Sequence, residues 1–69
     1  MIPTDWKLDL EDALERLTEK QRWALLLVCY WGYTQEEAGE LCGVSQPAIY
    51  YRIQNAVGRI RDYLSPKTL

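Results

Sequence analysis

The chain contains no histidine in 69 residues, and only two cysteines, three prolines and four glycines. Without histidine and without a third cysteine, a zinc site lacks ligands. Two cysteines do not make a disulfide scaffold. Cys29 and Cys42 fall in apolar stretches, where a free thiol behaves as a small hydrophobe. No metal or cofactor is expected. A glycine-rich phosphate loop after a strand is missing too, and no serine or cysteine stands beside a plausible base. The many carboxylates belong to expected outer helical faces, without the burial that tunes a catalytic pKa. These absences argue against an enzyme. The longest apolar run, Trp23 to Trp31, is far shorter than the roughly 20 residues a bilayer requires. No secretory signal, low-complexity tract or internal repeat is present, so a cytoplasmic protein without membrane association is expected.

What remains is one small domain near the lower limit for folding on a single core. Its net charge of −2 is unevenly spread. Met1 to Gly43 holds four basic and nine acidic residues, net −5, whereas Val44 to Leu69 holds four basic and one acidic, net +3. An acidic body carrying a basic segment would approach DNA with that segment forward. The overall acidity excludes a non-specific nucleic-acid coater.

The stretch from Thr34 to Arg61 explains the asymmetry. Thr34 with Glu37 is a capping box, opening a short helix. Gly43 ends it where a left-handed residue is needed. Ser45 caps the next helix and Pro47 sits in its first turn, where a missing N–H costs nothing. Ala38 and Gly39 are small enough for close helix approach. This is a helix-turn-helix pattern. In the second helix, about residues 46–64, Ile49, Ile53, Ala56, Ile60 and Leu64 share one side, with Val57 at its edge. Ala48, Tyr51, Gln54, Asn55, Gly58 and Asp62 collect opposite. Arg52 and Arg59 flank one edge of that outer face, and Tyr50 and Arg61 the other. An apolar seam with a free polar face suits a recognition helix, but also any solvated helix of a bundle.

Upstream, Asp9 is the expected N-cap of a first helix that buries Leu10, Leu14 and Leu17. Thr18 with Gln21 is a second capping box, opening a helix from about Glu19 to Trp31. Ala24, Leu26, Leu27 and Tyr30 are expected in the core, and Trp23, Leu27 and Trp31 form a second apolar stripe. Residues 1–8 read as a loose lead, in which Trp6 can tuck against the bundle. Residues 65–69 read as a frayed tail after Ser65-Pro66.

From Ala13 to Leu64 the chain resembles region four of the bacterial sigma factors. The resemblance is carried by ALERLTEKQR, LLLVCYWGYTQEEAGELCGVS, IYYRI and NAVGRIRDYL, in that order and spacing. It implies an all-α fold whose long recognition helix enters the major groove, and a domain that also docks on RNA polymerase. It further implies that Arg22 touches the DNA backbone. At several positions the chain departs from the family. Pro47 replaces a small residue, and Tyr50-Tyr51 stands where lysine or serine is common. Asn55, Val57 and Gly58 replace mostly basic positions, which removes phosphate contacts and weakens the expected DNA binding. Trp23, Val28 and Trp31 replace charged residues, which leaves an apolar patch on helix two.

The expected fold is therefore a small four-helix domain over residues 9–64, with a C-terminal helix-turn-helix. The leading function is sequence-specific binding of double-stranded DNA in transcription. Gln46, Ala48, Tyr51, Gln54 and Asn55 are expected to face bases. Thr34, Ser45, Tyr50, Arg52 and Arg59 are expected at phosphates, assisted by helix-start amides. Trp23, Leu27, Val28 and Trp31 are the expected protein interface, the alternative being tryptophans buried under the leading segment. A competing function is a protein-interaction module of the same fold that binds RNA polymerase, a sigma factor or its own copy without DNA. The chain is too short for the other regions of a sigma factor. It fits a small regulator such as those encoded by phages, or an excised domain.

Overall fold

The computed structural model describes residues 11–64. Within them the chain forms four helices and no strand. Residues 11–15 are helical (α1). Glu19–Leu25 forms α2, which continues as a π-helical turn over Leu26–Tyr30. Gln35–Cys42 forms α3 and Gln46–Leu64 forms α4. The expected lead and tail, the Trp6 contact, the Asp9 cap, the burial of Leu10 and the Ser65-Pro66 stop all lie outside the described residues.

Local chemistry sets each boundary. Thr18 Oγ1 accepts from the Gln21 amide at 3.2 Å, and Gln21 Oε1 accepts from the Thr18 amide at 3.2 Å. Thr34 and Glu37 make the same reciprocal pair at 3.0 and 2.9 Å. Each box satisfies two backbone donors that the first turn leaves without a partner. Gly43 closes α3 in the left-handed region, with φ 72° and ψ 31°, and the Val44 amide returns to the Gly39 carbonyl at 2.9 Å. Ser45 Oγ then accepts from the Ala48 amide at 3.3 Å to start α4.

Close approach explains Gly39. A Cβ there would stand 2.7 Å from the Val44 carbonyl oxygen, so the turn seats α4 against α3 only over a bare backbone. Around this joint Ala24, Ala38, Ile49 and Ile53 form the buried cluster, with Leu25, Leu27, Val28, Cys42 and Val44 packed on it. Ala13, Leu17 and Ala56 are buried as well. Four of the seven buried apolar residues are alanines, and Ile49 is the one large side chain fully enclosed among the described residues. The helices therefore pack closely over a thin core.

Four expectations need correction. Helix two does not run as one α-helix to Trp31: the Trp31 amide bonds to the Leu26 carbonyl at 2.9 Å, five residues back, and the Tyr33 amide to Leu27 at 3.0 Å. The wider turn breaks the α-helical spacing. Tyr30, expected inside, is 74% exposed. Cys29 is exposed rather than acting as a small core hydrophobe, whereas Cys42 does pack on the core. Finally, the apolar stripe of α4 outruns the domain. Ile49, Ile53 and Ala56 are buried and Ile60 is partly covered, but Val57 and Leu64 are exposed.

Candidate nucleic-acid interface

The buried seam of α4 fixes which side remains open. With 19 residues at about 1.5 Å each, the helix is about 28 Å long. Ile49, Ile53 and Ala56 lock its first three turns to the body. Gln46, Pro47, Tyr50, Tyr51, Gln54 and Asn55 are exposed over the same turns, and Ala48 is partly covered. The rings of Tyr50 and Tyr51 meet edge-on, with centroids 6.0 Å apart and an interplanar angle of 73°. Tyr50 joins Gln46, Pro47 and Gln35 in a shallow groove at the start of α3. Gln54, Asn55, Gly58, Arg59, Arg61 and Asp62 line another with Thr18 and Gln21 from the start of α2. Tyr51, Gln54 and Asn55, with Ala48 beside them, lie on the side opposite the seam, whereas Gln46 is exposed at the helix start.

The residues expected at phosphates are more dispersed. Thr34 and Ser45 are exposed helix caps. Their oxygens already accept a backbone amide, which leaves each hydroxyl hydrogen free to donate. The two helix starts differ in charge. Glu36 and Glu37 occupy the first turn of α3 and repel an anion, whereas the first turn of α4 holds no acid. Of the two caps, Ser45 therefore stands in the less acidic surroundings. Arg52 is partly buried in a groove with Glu19, Lys20, Trp23, Cys42 and Val44. Arg59 is exposed, but its Nη1 donates to the Arg16 carbonyl at 3.3 Å, tying α4 to the end of α1. Arg22 similarly donates from Nη1 to the Leu14 carbonyl at 3.4 Å.

On helix two, Trp23 and Trp31 are 52% and 62% exposed. Leu27 and Val28, grouped with them in the expected interface, instead pack partly buried against the core. Tyr30 and Tyr33 are exposed as well, and the Tyr30 ring lies edge-on to Trp31 at 5.4 Å. Burial of these tryptophans under the leading segment, the alternative expectation, lies outside the described residues.

Sequence reasoning missed a latch at the far end of α4. Tyr63 donates its hydroxyl to Asp12 Oδ2 of α1. The Arg16 guanidinium lies 4.3 Å from the Tyr63 ring centroid and 3.7 Å from the Asp12 carboxylate. The bond to Asp12 pushes the Tyr63 phenol above its ordinary pKa of 10.0, because the carboxylate stabilises the proton-bearing form. The partners are 51 residues apart in sequence, and no local pattern announces such a pair.

A short helix, a glycine-ended turn and a longer helix with an open polar face define a helix-turn-helix domain. The family model for sigma-70, region 4, matches residues 7–60. The chain belongs to that family, and is a DNA-binding helix-turn-helix domain related to the sigma factors. No curated protein and no solved structure matches it. Among the described residues, no helix is long and apolar enough to cross a membrane, and no group of three or more cysteines and carboxylates is placed to hold a metal ion.

Proposed function

We propose that this chain is a sequence-specific transcription regulator that reads double-stranded DNA with the outer face of α4 and works with RNA polymerase. The observation carrying this reading is the open face of Tyr51, Gln54 and Asn55 over a buried Ile49–Ile53–Ala56 seam, with Gln46 exposed at the helix start. Amide side chains can bond adenine edges in two-pronged fashion, and an anchored helix holds them in register. Ala48 completes the base-facing set. Ser45, Thr34, Tyr50, Arg52 and Arg59 form the rim that meets phosphates, with Arg59 dividing its donors between the Arg16 carbonyl and DNA. Such a protein acts where promoter DNA is, in the cytoplasm of a bacterial cell.

The test is a fluorescence-anisotropy titration of mixed genomic duplexes at low and moderate salt. The proposal expects binding that weakens with salt yet keeps a preference among fragments. Absence of binding at low salt would sink it.

A second reading is favoured by the exposed Trp23, Tyr30, Trp31 and Tyr33. Exposed aromatics of this kind supply binding energy at protein interfaces. Under this reading the domain binds RNA polymerase, a sigma factor or a second copy of itself, with or without DNA. The substitution Trp31→Glu tests this surface and is expected to abolish partner binding. The duplex titration above separates the two readings, since a module that binds protein alone shows no duplex binding at low salt.

A further inference from the structure

We infer that the base pairs read by α4 are A·T pairs, an inference that rests on the DNA-reading role proposed above. It follows from which side chains occupy the open face and from where the arginines are held. The commonest specific contact to guanine is arginine or lysine on O6 and N7. From Gln46 to Gly58 no exposed residue is a cation; Arg59 and Arg61 follow a turn further on, where they line a groove with Gln54 and Asn55. Arg52 is drawn back into the groove beside Trp23 and Cys42. The Arg59 guanidinium is directed at the Arg16 carbonyl, 3.3 Å away.

The face offers the complement of adenine and thymine instead. Gln54 and Asn55 each present a donor and an acceptor that match adenine N7 and N6. Tyr51, 66% exposed, and the Ala48 methyl present apolar surface to a thymine methyl. Ala48 to Asn55 spans about 10 Å of helix at 1.5 Å per residue. That length covers about three base steps of about 3.4 Å. Asp62, exposed on the same face, repels phosphate and marks where the helix leaves the groove. The base contacts are confined to the first half of α4, and Arg59 and Arg61 in the second half are left to phosphates.

The experiment incubates the full chain with duplexes carrying a randomised centre, at a salt concentration where non-specific binding is weak, and sequences the bound fraction. A run of about three A·T pairs is expected to be enriched. In the selected duplex, replacing thymine by uracil removes the methyl group, and replacing adenine by 7-deazaadenine removes N7. At least one position is expected to lose about fivefold or more in affinity with each. Gln54→Ala and Asn55→Ala are each expected to flatten the preference at one position, with unchanged salt dependence and unchanged helical circular dichroism. A G·C-centred selection, binding without preference, or indifference to both base analogues would overturn the inference while leaving DNA binding intact. No binding by a folded chain at low salt would overturn the DNA-reading role itself.

Discussion

Ile49 is the one large side chain that the described residues enclose completely. Its neighbours in the cluster are mostly alanines that have no further volume to give. Ile49→Ala is expected to cost about 2–5 kcal/mol, against roughly 5 kcal/mol or less available to a chain of this size. Loss of the cooperative thermal transition would show it. Two glycines should respond in opposite directions. Gly39→Ala puts a Cβ against a backbone carbonyl that cannot move without shifting the turn, and is expected to cost roughly 1–3 kcal/mol. Gly58→Ala meets only the end of the flexible Arg61 side chain, at 3.9 Å, and is expected to gain about 1 kcal/mol. Urea midpoints of the two variants should move to opposite sides of the wild type. Equal movement would mean that close packing at Gly39 is not what limits the joint.

The caps govern the elements. Thr34→Ala removes the acceptor for the Glu37 amide and is expected to lower stability by about 1 kcal/mol, read by chemical denaturation. Both capping boxes, the left-handed Gly43 and the Ser45 cap were legible in the sequence because each depends on residues within four positions of one another. The buried seam of α4 was legible as far as Ala56, because regular α-helix obeys one angular step per residue. Helix two was not, because its π turn changes that step between Leu26 and Tyr30 and turns Tyr30 outward. Arg59 was read as a phosphate contact from its edge position alone, since its bond to α1 joins residues 43 apart. The Asp12–Arg16–Tyr63 latch was invisible for the same reason. Its titration can be predicted now. The folded-state pKa of Tyr63 is raised above 10.0 by the Asp12 bond. Whatever stability the bond contributes is therefore fully present below pH 10.0 and lost as pH rises through the folded value. Tyr63→Phe should remove that extra alkaline loss, so denaturation curves of variant and wild type should converge at high pH. Parallel curves would show that the latch contributes nothing.

At the scale of the molecule, charge separation decides how the domain meets DNA. The segment through Gly43 carries net −5 from four basic and nine acidic residues, so under the proposed function phosphate is expected to repel the body and to orient α4 toward the duplex. Attraction then falls to the helix itself, whose cations are Arg52, Arg59 and Arg61. Each phosphate neutralised adds about 0.9 to the slope of log affinity against log salt. Three arginines set a slope no steeper than about −3, shallow for a DNA-binding domain, and Arg59 contributes its share only by sharing or leaving the Arg16 carbonyl. Arg52→Ala with Arg59→Ala should reduce the slope by about 2, with some stability lost as well because the α1 tie goes with Arg59. Anisotropy titrations between about 50 and 200 mM salt, a range in which such slopes are resolved, test both numbers. A wild-type slope near −6 would mean that phosphates reach the protein beyond α4. A slope of −3 that the double variant leaves unchanged would remove both arginines from the interface. The expected result, a shallow slope that flattens in the variant, describes a reader too weakly held by phosphates to occupy its site alone. The exposed Trp23, Tyr30 and Trp31 would then supply the missing affinity through a protein already on the promoter, and Trp31→Glu should abolish recruitment there while leaving the isolated duplex affinity within about twofold, a change of about 0.4 kcal/mol.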